Sequence, residues 1–434
     1  MIWNKERESI AKDKIKKLQL QRLKDTVNYV YNNVPFYRKK FEKIGLKPEH
    51  IKKLKDIQKI PLTTKEDLRD NYPYDLLAQP MENIVRLHAS SGTTGKPVVV
   101  GYTENDLKNW TECVARLITA AGASRKDIAQ IAFGYGMFTG GFGLHYGLEE
   151  VGVTVIPASS GNSERQIMRF KDFGATILIS TPSYALYLAE VANDMGVKKE
   201  ELNLKLGLFG GEGMTESIRD EIEERWGISD TQNYGLTEIV GPGVSGECEY
   251  KNGMHINEDH FYPEIIDPDS EEVLNEGEKG ELILTNLSKE GIPMLRYRTK
   301  DITRLISEPC DCGRTSIRMS KVEGRTDDML IIKGVNVFPS QIEEVLFGID
   351  HIGPHYQIIV KKDGYMDDIE IKVELVDGSL LDKYSELEKL RDNIKKELRK
   401  VLQIEAKVKL VEPRTIERTS GKAEKVVDLR GEQN

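Results

Sequence analysis

Short β-rich runs alternate with helical segments through the middle of the chain, and this alternation constrains the fold more than any other feature. The runs are Val153–Pro157, Ala175–Ser180 and Leu204–Gly211, with helical spacing near residues 163–173, 183–196 and 215–226. Strands that alternate with helices form parallel βαβ units, which bind ligands at the carboxyl ends of their strands. The sequence therefore predicts an α/β fold with a ligand site at that edge of the sheet.

A loop rich in hydroxyl side chains and glycines precedes this region. Its candidate binding residues are Ser90, Ser91, Gly92, Thr93, Thr94, Gly95 and Lys96. Glycines allow backbone N–H groups to form a concave nest, while hydroxyls and a lysine ammonium add donors for phosphate oxygens. The loop is not a Walker motif, because only two residues separate its glycines and Pro97 follows the lysine. The density of serine, threonine and glycine favours a phosphate-binding loop over the alternative, a polar surface turn.

Aromatic rings and glycines are interleaved between Ile131 and Tyr146. Glycine lets the backbone approach a ligand, and rings supply flat apolar walls, so the mixture suits a slot for an aromatic acid. The alternative is that the rings belong to the core at a strand–helix junction. The pocket candidates are Tyr135, Phe138, Gly141 and Phe142, while His145 is interpreted as a hydrogen-bonded structural histidine.

Two further segments follow predicted strands. The glycine-rich turn contains Gly211, Glu212 and Gly213, and the hexapeptide Asn233–Glu238 contains Asn233, Tyr234, Gly235, Thr237 and Glu238. A tyrosine ring can stack on a purine, a threonine hydroxyl can contact phosphate, and a glutamate offers a hard oxygen to Mg²⁺. A bare glycine turn is the alternative for the first segment.

Three cysteines and one histidine form a candidate metal site. Cys248 and His255 flank a short turn, and Cys310 and Cys312 form a tight two-thiol loop. Three thiols and one imidazole match a closed tetrahedral zinc site, which we interpret as structural because four protein ligands leave no open position. The alternatives are four unrelated residues, or His260 as the imidazole ligand. The fourth thiol, Cys113, is interpreted as a core residue on an apolar helix face.

Taken together, the hydroxyl-rich loop and the segments that follow it resemble those of the phenylacetate–CoA ligase family of the adenylate-forming (acyl-CoA synthetase) superfamily. Three later segments match in order, namely Tyr297–Asp301, Gly324–Met329 and Arg418–Lys422. The first departs from the superfamily pattern only in having Lys300 where that pattern has glycine. A solvated basic tail is the alternative for the last segment.

The resemblance implies roles for individual residues. Asp301 would hold both ribose hydroxyls, Arg325 would reach the ribose or phosphate, and the turn at 211–213 would pack against adenine. Thr237 and Glu238 would serve ATP and Mg²⁺, and Lys422 would be the catalytic lysine. Asp327 would be the hinge, and Lys333, Gly334 and Asn336 would contact coenzyme A.

The resemblance also implies a large N-terminal adenylation domain, 1–327, that binds ATP and the acid. A mobile α+β domain of about 100 residues, 328–434, would carry the catalytic lysine. Its predicted elements include a helix over Pro339–Phe347, strands over His355–Lys361 and Ile369–Leu375, and a helix over Tyr384–Leu402.

The charge balance, 62 basic against 71 acidic residues, argues against a nucleic-acid or polybasic membrane partner. The chain has no membrane-spanning apolar run and no signal-peptide core at its N-terminus, so we expect a cytoplasmic protein. The resemblance implies an aryl acid, ATP and coenzyme A as small-molecule partners, Mg²⁺ as cofactor, and a homodimer.

The expected activity is ATP-dependent ligation of an aryl acid, phenylacetate first, to coenzyme A through an acyl-adenylate. Hydroxyphenylacetate, indoleacetate or benzoate could also fit, or the acyl group could pass to an acceptor other than coenzyme A. A non-catalytic nucleotide-binding protein is the remaining alternative.

Overall fold

The computed structural model of the protein describes residues 1–90, 97–332, 335–363, 366–420 and 422–430, with backbone only for Asn336, Asp363 and Met366. The helices are α1 (Lys5–Glu8), α2 (Lys12–Asn33), α3 (Pro35–Lys43), α4 (Lys65–Asp70), α5 (Glu104–Ala120), α6 (Thr139–Val151), α7 (Ser163–Asp172), α8 (Pro182–Asp194), α9 (Glu216–Trp226), α10 (Pro339–Phe347) and α11 (Tyr384–Leu402).

The strands of the first three quarters of the chain are β1 (Arg86–Ala89), β2 (Val99–Tyr102), β3 (Ile128–Ile131), β4 (Thr154–Ile156), β5 (Ile177–Ser180), β6 (Leu206–Phe209), β7 (Ser229–Leu236), β8 (Gly241–Glu247), β9 (Met254–Ile256), β10 (Phe261–Ile266), β11 (Gly280–Asn286), β12 (Tyr297–Thr303), β13 (Leu305–Ile306), β14 (Arg318–Met319) and β15 (Gly324–Arg325). The remaining strands are β16 (Leu330–Ile332), β17 (Val335–Val337), β18 (Ile352–Asp363), β19 (Met366–Leu375), β20 (Lys407–Val411) and β21 (Val426–Asp428).

The largest sheet of the described chain has the order β13-β14-β9-β8-β7-β6-β5-β3-β4. The half from β7 to β4 is parallel, and the half from β7 to β13 is antiparallel. Strand β5 is fully buried, as expected for a parallel strand with helices on both faces. The predicted α/β fold is confirmed, and the antiparallel half extends it.

Helix α8, which follows β5, has strong start signals. The Thr181 hydroxyl accepts a hydrogen bond from the Tyr184 backbone N–H at 3.3 Å, and Pro182 occupies the first helical position. Such a cap satisfies one of the free N–H groups of the first turn, and proline needs no partner there. The helix therefore begins directly after the carboxyl end of β5.

A second, four-stranded antiparallel sheet has the order β10-β11-β12-β15. Asp301 on β12 lies directly opposite Arg325 on β15. The sheet therefore brings a carboxylate and a guanidinium from separate motifs together before any ligand is considered.

The C-terminal region folds around its own core. Its sheet has the order β20-β19-β18-β21, and α10 and α11 contribute Ile342, Leu346, Ile394 and Leu398 to a buried cluster with Ile358 and Ile371 of the sheet. A separate small C-terminal domain is thus confirmed. Among the described helices, none is long and apolar enough to cross a bilayer.

Candidate functional site

The carboxyl edge of the parallel strands gathers the predicted motifs. The ring-rich segment follows β3, the start of α8 follows β5, the glycine turn follows β6, and the hexapeptide forms the end of β7 and the turn after it. Side chains that follow neighbouring parallel strands meet at one edge, which is where such sheets bind ligands.

The phosphate-loop candidates lie largely outside the described residues, since Ser91, Gly92, Thr93, Thr94, Gly95 and Lys96 are not among them. Ser90 closes the base of the loop, because its N–H donates to the Val98 carbonyl at 2.9 Å and its Oγ accepts from the Val98 N–H at 3.0 Å. The antiparallel pair β1 and β2 therefore fixes both ends of the loop.

The ring-rich segment contacts the strand that enters this loop. The Met137 carbonyl accepts from the Ala89 N–H at 2.9 Å and lies 3.1 Å from Nδ1 of His88. Phe142 meets the rings of Tyr135 and His88 edge-on, with centroids 5.3 and 5.7 Å apart. These contacts place the aromatic candidates beside β1, the strand that leads into the predicted phosphate loop.

The individual pocket candidates differ in exposure. Phe138 is 48% exposed and therefore offers open ring surface. The Tyr135 hydroxyl hydrogen-bonds His145 Nδ1 at 3.0 Å, and His145 pairs with Glu149 at 3.1 Å, so its interpretation as a structural histidine is consistent with these contacts. Burial raises the pKa of Tyr135. Gly141 must be glycine, because a Cβ there would lie 2.9 Å from the Gly134 carbonyl oxygen.

Asp301 is the centre of a buried polar cluster. It accepts from the Tyr234 hydroxyl at 2.5 Å and from Arg325 Nη1 at 2.8 Å. Burial raises the pKa of Asp301, while the Arg325 charge and the Tyr234 hydrogen bond oppose that shift. Arg325 also contacts Asp327 through two hydrogen bonds of 2.9 and 3.0 Å. The ribose, adenine and hinge candidates are thus joined in one network.

Lys300, the departure from the superfamily pattern, keeps a left-handed backbone with φ of +67°. This conformation favours glycine, which is the residue that the superfamily pattern has at this position. Its carbonyl accepts from the Thr326 N–H at 2.8 Å, and Asp301 stays in place beside it.

The hexapeptide packs against the ring-rich segment. The Thr237 and Thr139 hydroxyls lie 3.3 Å apart, and a Cβ on Gly235 would lie 1.8 Å from the Gly241 carbonyl oxygen. Glu238 is 7% exposed, and within the described residues no donor hydrogen-bonds its carboxylate. A carboxylate without a donor suits a cation.

The glycine turn connects the two domains. Asn233 Nδ2 donates to the Phe209 carbonyl at 2.8 Å, beside Gly210. The Glu212 carboxylate accepts from the Ser183 hydroxyl at 2.7 Å and from the Ala423 N–H at 2.7 Å. Lys422 is exposed and, through Ala423, lies in a segment attached to this edge. Gly211 and Gly213 are exposed beside Glu212.

The four predicted metal ligands come together. Their ligand atoms all lie within 4.8 Å of one another. Cys248 and Cys310 have sulfurs 3.7 Å apart, and Cys312 Sγ lies 3.3 Å from His255 Nε2. Burial raises the pKa of Cys248 to about 12. For Cys312, burial acts upward, but the His255 hydrogen bond and a backbone N–H lower its pKa to about 5.

The rival imidazole, His260, lies elsewhere, near Glu112 and Cys113. Burial lowers the pKa of His260 to about 4, and its Nδ1 hydrogen-bonds Ser288 at 2.6 Å. Cys113 is buried at 1% exposure, consistent with its interpretation as a core thiol. The coenzyme A candidates Lys333 and Gly334 lie outside the described residues, as does the side chain of Asn336.

Sequence reasoning missed several residues that complete this edge. Ser183 carries no motif, and its role appears only where helix α8 meets Glu212. Lys289 is buried and donates to the Ile239 carbonyl at 2.7 Å, next to Glu238; burial lowers the pKa of Lys289 to about 8. A lone lysine among polar residues gives no sequence signal for such a position. His88, on β1 just before the loop, has a buried imidazole whose Nε2 has no partner in the described structure.

Comparisons with known proteins agree with this architecture. A family model described as AMP-binding enzyme matches residues 13–288, and the AMP-binding enzyme C-terminal domain matches residues 334–430. The chain is 47% identical to the phenylacetate-coenzyme A ligase of Thermus thermophilus, covering 99% of this chain and 100% of that protein. It is 48% identical to the enzyme of the same description from Escherichia coli, covering 98% and 97%.

Solved structures of a 2-hydroxyisobutyryl-CoA ligase are also similar. Its postadenylation state in complex with 2-HIB-AMP gives a TM-score of 0.93 at 29% identity, and its thioesterification state with 2-HIB-AMP and CoA gives 0.73 at 29%. Both comparisons cover 98% of this chain and 92% of the other. The chain belongs to the AMP-binding enzymes and, within them, to the phenylacetate–CoA ligase family.

Proposed function

We propose that the protein is an ATP-dependent aryl acid–CoA ligase that converts phenylacetate, ATP and coenzyme A into phenylacetyl-CoA, AMP and diphosphate. The observation that carries this proposal is the convergence of the Asp301 cluster, the ring-rich segment and the segment bearing Lys422 at one sheet edge. The high identity to curated phenylacetate-coenzyme A ligases supports the same reaction.

In this proposal, separate residues of the site contact the adenine, the ribose and the phosphates of ATP. The turn at 211–213 and the Tyr234 ring receive adenine. Asp301 accepts hydrogen bonds from the ribose hydroxyls through lone pairs not used by Tyr234 and Arg325, a task for which a carboxylate is well suited. The loop from Ser90 to Lys96 receives the phosphates of the departing diphosphate.

Thr237 and Glu238 are the residues that would hold Mg²⁺. Their fit rests on the Glu238 carboxylate, which has no donor within the described residues, and on the hydroxyl of the preceding residue, Thr237. A bound Mg²⁺ supplies positive charge that offsets the repulsion between the acid and the triphosphate.

The ring-rich segment receives the aryl group. Phe138 offers exposed ring surface, and Tyr135 and Phe142 form an edge-on pair in the same segment. Gly141 lets helix α6 pack closely against the segment that carries Tyr135, because a Cβ there would lie 2.9 Å from the Gly134 carbonyl oxygen. A flat apolar ring fits these walls, with its carboxylate directed toward the adjoining phosphate loop.

The chemistry takes two steps. A carboxylate oxygen first attacks the α-phosphorus, forming the acyl-adenylate while the bond to diphosphate breaks. Lys422 stabilises charge on the phosphates as it redistributes. The sulfur of coenzyme A then attacks the acyl carbon, the thiol proton is lost, and AMP leaves. No side-chain nucleophile is required.

The division into two domains supports a mechanism in which the C-terminal domain takes a different orientation in each of the two steps. We place the boundary at residues 1–327 and 328–434, with Asp327 as the hinge. The higher TM-score to the postadenylation state than to the thioesterification state of one ligase favours an orientation suited to the first step. The second step would then turn Lys333, Gly334 and Asn336 toward coenzyme A by a hinge motion. The homodimer and the cytoplasmic location stay predictions from the sequence.

We also propose a structural zinc ion held by Cys248, His255, Cys310 and Cys312. In a tetrahedral site with Zn–S of about 2.3 Å and Zn–N of about 2.0 Å, ligand atoms lie about 3.5–3.8 Å apart. The 3.7 Å and 3.3 Å separations fit this geometry. The other imidazole nitrogen of His255 lies 3.1 Å from the Ser316 hydroxyl, which would orient the ring. All four positions are filled by protein, so the ion would have no catalytic role.

Two experiments test these proposals. Purified protein is incubated with ATP, Mg²⁺, coenzyme A and a panel of aryl acids, and AMP and thioester are measured. Phenylacetate should give both; AMP without thioester would favour a non-CoA acceptor, and no acid-dependent AMP would reject the ligase. Metal analysis should find about one zinc per chain, lost in Cys312→Ser and kept in Cys113→Ser. Zinc-free wild-type protein purified with zinc present would reject the metal site.

A further inference from the structure

Glu190 on α8 contacts two side chains of the C-terminal domain. Its Oε1 accepts from His355 Nε2 at 2.8 Å, and its Oε2 accepts from Arg418 Nε at 3.2 Å. Glu190 is 19% exposed, His355 14% and Arg418 12%. The contact is therefore a largely desolvated polar link between the two domains.

Arg418 belongs firmly to the C-terminal domain. Its Nη1 and Nη2 donate to the two oxygens of Glu374 at 2.9 and 2.8 Å, and Glu374 is 2% exposed. Glu374 also accepts from the backbone N–H groups of Arg414 and Ile416 at 3.1 and 2.6 Å. A rotation of the domain would carry this arrangement along intact and, among the contacts of Arg418, would break only the one with Glu190.

The segment after Arg418 carries Lys422 back to the N-terminal domain. Ala423, the next residue, donates its N–H to Glu212 at 2.7 Å. Lys422 is therefore bracketed by two attachments to the N-terminal domain, one through Arg418 and Glu190 and one through Ala423 and Glu212. The position of its ammonium group along the edge depends on both.

We propose that Glu190 is a positioning residue for the first half-reaction, which holds the C-terminal domain in the orientation that presents Lys422. This role rests on the proposed ligase function. Contacts that exist in only one of two orientations shift the equilibrium toward that orientation by their differential free energy. Glu190 thereby favours the orientation for adenylation. Its loss shifts the equilibrium toward the thioester-forming orientation.

A second interdomain ion pair shows why Glu190 matters more. Arg414 contacts Asp194, but their side chains are 63% and 46% exposed. Exposed pairs contribute little because water and salt screen them. The Glu190 carboxylate, by contrast, is 19% exposed and has two partners that are 14% and 12% exposed, so removing it leaves His355 and Arg418 with lost contacts at part-buried positions.

The test compares Glu190→Ala with Glu201→Ala. Glu201 pairs with Lys171 at 2.7 Å on the exposed surface of the N-terminal domain and serves as the matched control. With phenylacetate, Glu190→Ala should lower acid-dependent ATP–pyrophosphate exchange about tenfold, equal to about 1.4 kcal/mol. Thioester formation from supplied phenylacetyl-adenylate and coenzyme A should be unchanged or faster. Glu201→Ala should change neither reaction.

A double mutant sharpens the assignment. His355→Ala should show the same split between half-reactions, and combining it with Glu190→Ala should lose less than the product of the two single effects, because both remove one contact. Equal losses in both half-reactions, or no loss in pyrophosphate exchange, would overturn the proposal.

Hydrogen exchange provides a readout that needs no activity. In substrate-free protein, Glu190→Ala should speed amide exchange across residues 414–430 several-fold, including the Ala423 amide, whereas Glu201→Ala should not. Unchanged exchange in that segment would overturn the docking role. If the wild-type protein is inert toward phenylacetate but Glu190→Ala still speeds amide exchange in this segment, the proposed ligase function is rejected and the docking role of Glu190 is supported.

Discussion

Replacing Asp301 with asparagine isolates the charge at the centre of the predicted ribose site. The carboxylate is 6% exposed and already accepts from Tyr234 and Arg325. Asparagine has nearly the same shape and keeps one acceptor oxygen, so the Asp301→Asn change removes charge with little change in packing.

The size of the effect follows from the two ribose hydroxyls. Hydrogen bonds to a charged acceptor contribute about 1.5–3 kcal/mol and neutral ones about 0.5–1.5 kcal/mol. Losing the charge should therefore cost about 1 kcal/mol for each hydroxyl, or about 2 kcal/mol in all. That corresponds to an increase of about 30-fold in the KM for ATP.

The assay is ATP–pyrophosphate exchange at saturating phenylacetate, with ATP varied. Asp328→Asn is the matched control, since Asp328 also faces Arg325, at 3.7 Å, but is 56% exposed; its KM for ATP should stay within about twofold of wild type. Melting temperatures of both variants exclude unfolding as the cause. Equal KM values for Asp301→Asn and Asp328→Asn would refute the assignment of Asp301 to the ribose.

Three further changes test other parts of the molecule. Phe138→Ala should raise the KM for phenylacetate about tenfold, because the exposed ring would lose about 1–2 kcal/mol of apolar contact with the substrate; an unchanged KM would remove Phe138 from the acid pocket. His260 has its pKa lowered to about 4 by burial, so between pH 6.5 and 4 the unfolded chain binds a proton that the folded chain excludes, and stability falls by up to about 3 kcal/mol. His260→Gln should lack this component in urea unfolding at pH 7 and 4.5, and parallel pH dependence of the two proteins would contradict it. Lys300→Gly should stabilise the fold by about 0.5–1 kcal/mol, since the left-handed backbone disfavours lysine by about 1–2 kcal/mol and the extra freedom of unfolded glycine offsets part of the gain; a lower melting temperature would show that the lysine side chain contributes more than its backbone costs.

Local patterns allowed much of the fold to be predicted. The helices Pro339–Phe347 and Tyr384–Leu402 have the predicted bounds, because apolar spacing lies within each segment and Pro339 opens the first of them. Alternating strands and helices correctly placed the motifs at the carboxyl edge of a parallel sheet. The Cys248, His255, Cys310 and Cys312 set could be proposed because thiol and imidazole chemistry is specific even when the segments are distant in sequence.

Features set by long-range pairing could not be predicted in this way. Strand β21 has only three residues, and it forms because it pairs in parallel with Ile358–Val360 of β18. The antiparallel half of the large sheet depends on β7 changing partners along its length, from β6 to β8. Ser183 and Glu190 gain their roles only where α8 meets the C-terminal domain, and no local pattern distinguishes them from other helix residues.

The most direct test of the whole account is the separation of half-reactions in Lys422→Ala. If Lys422 acts on the triphosphate bound at this edge, pyrophosphate exchange should fall by about 10²–10³-fold, while thioester formation from supplied phenylacetyl-adenylate and coenzyme A is retained. Lys409→Ala, the same change at an exposed position of β20, should affect neither. Equal loss of both half-reactions in Lys422→Ala, or full retention of pyrophosphate exchange, would contradict the convergence of Lys422 and the phosphate loop on one ATP.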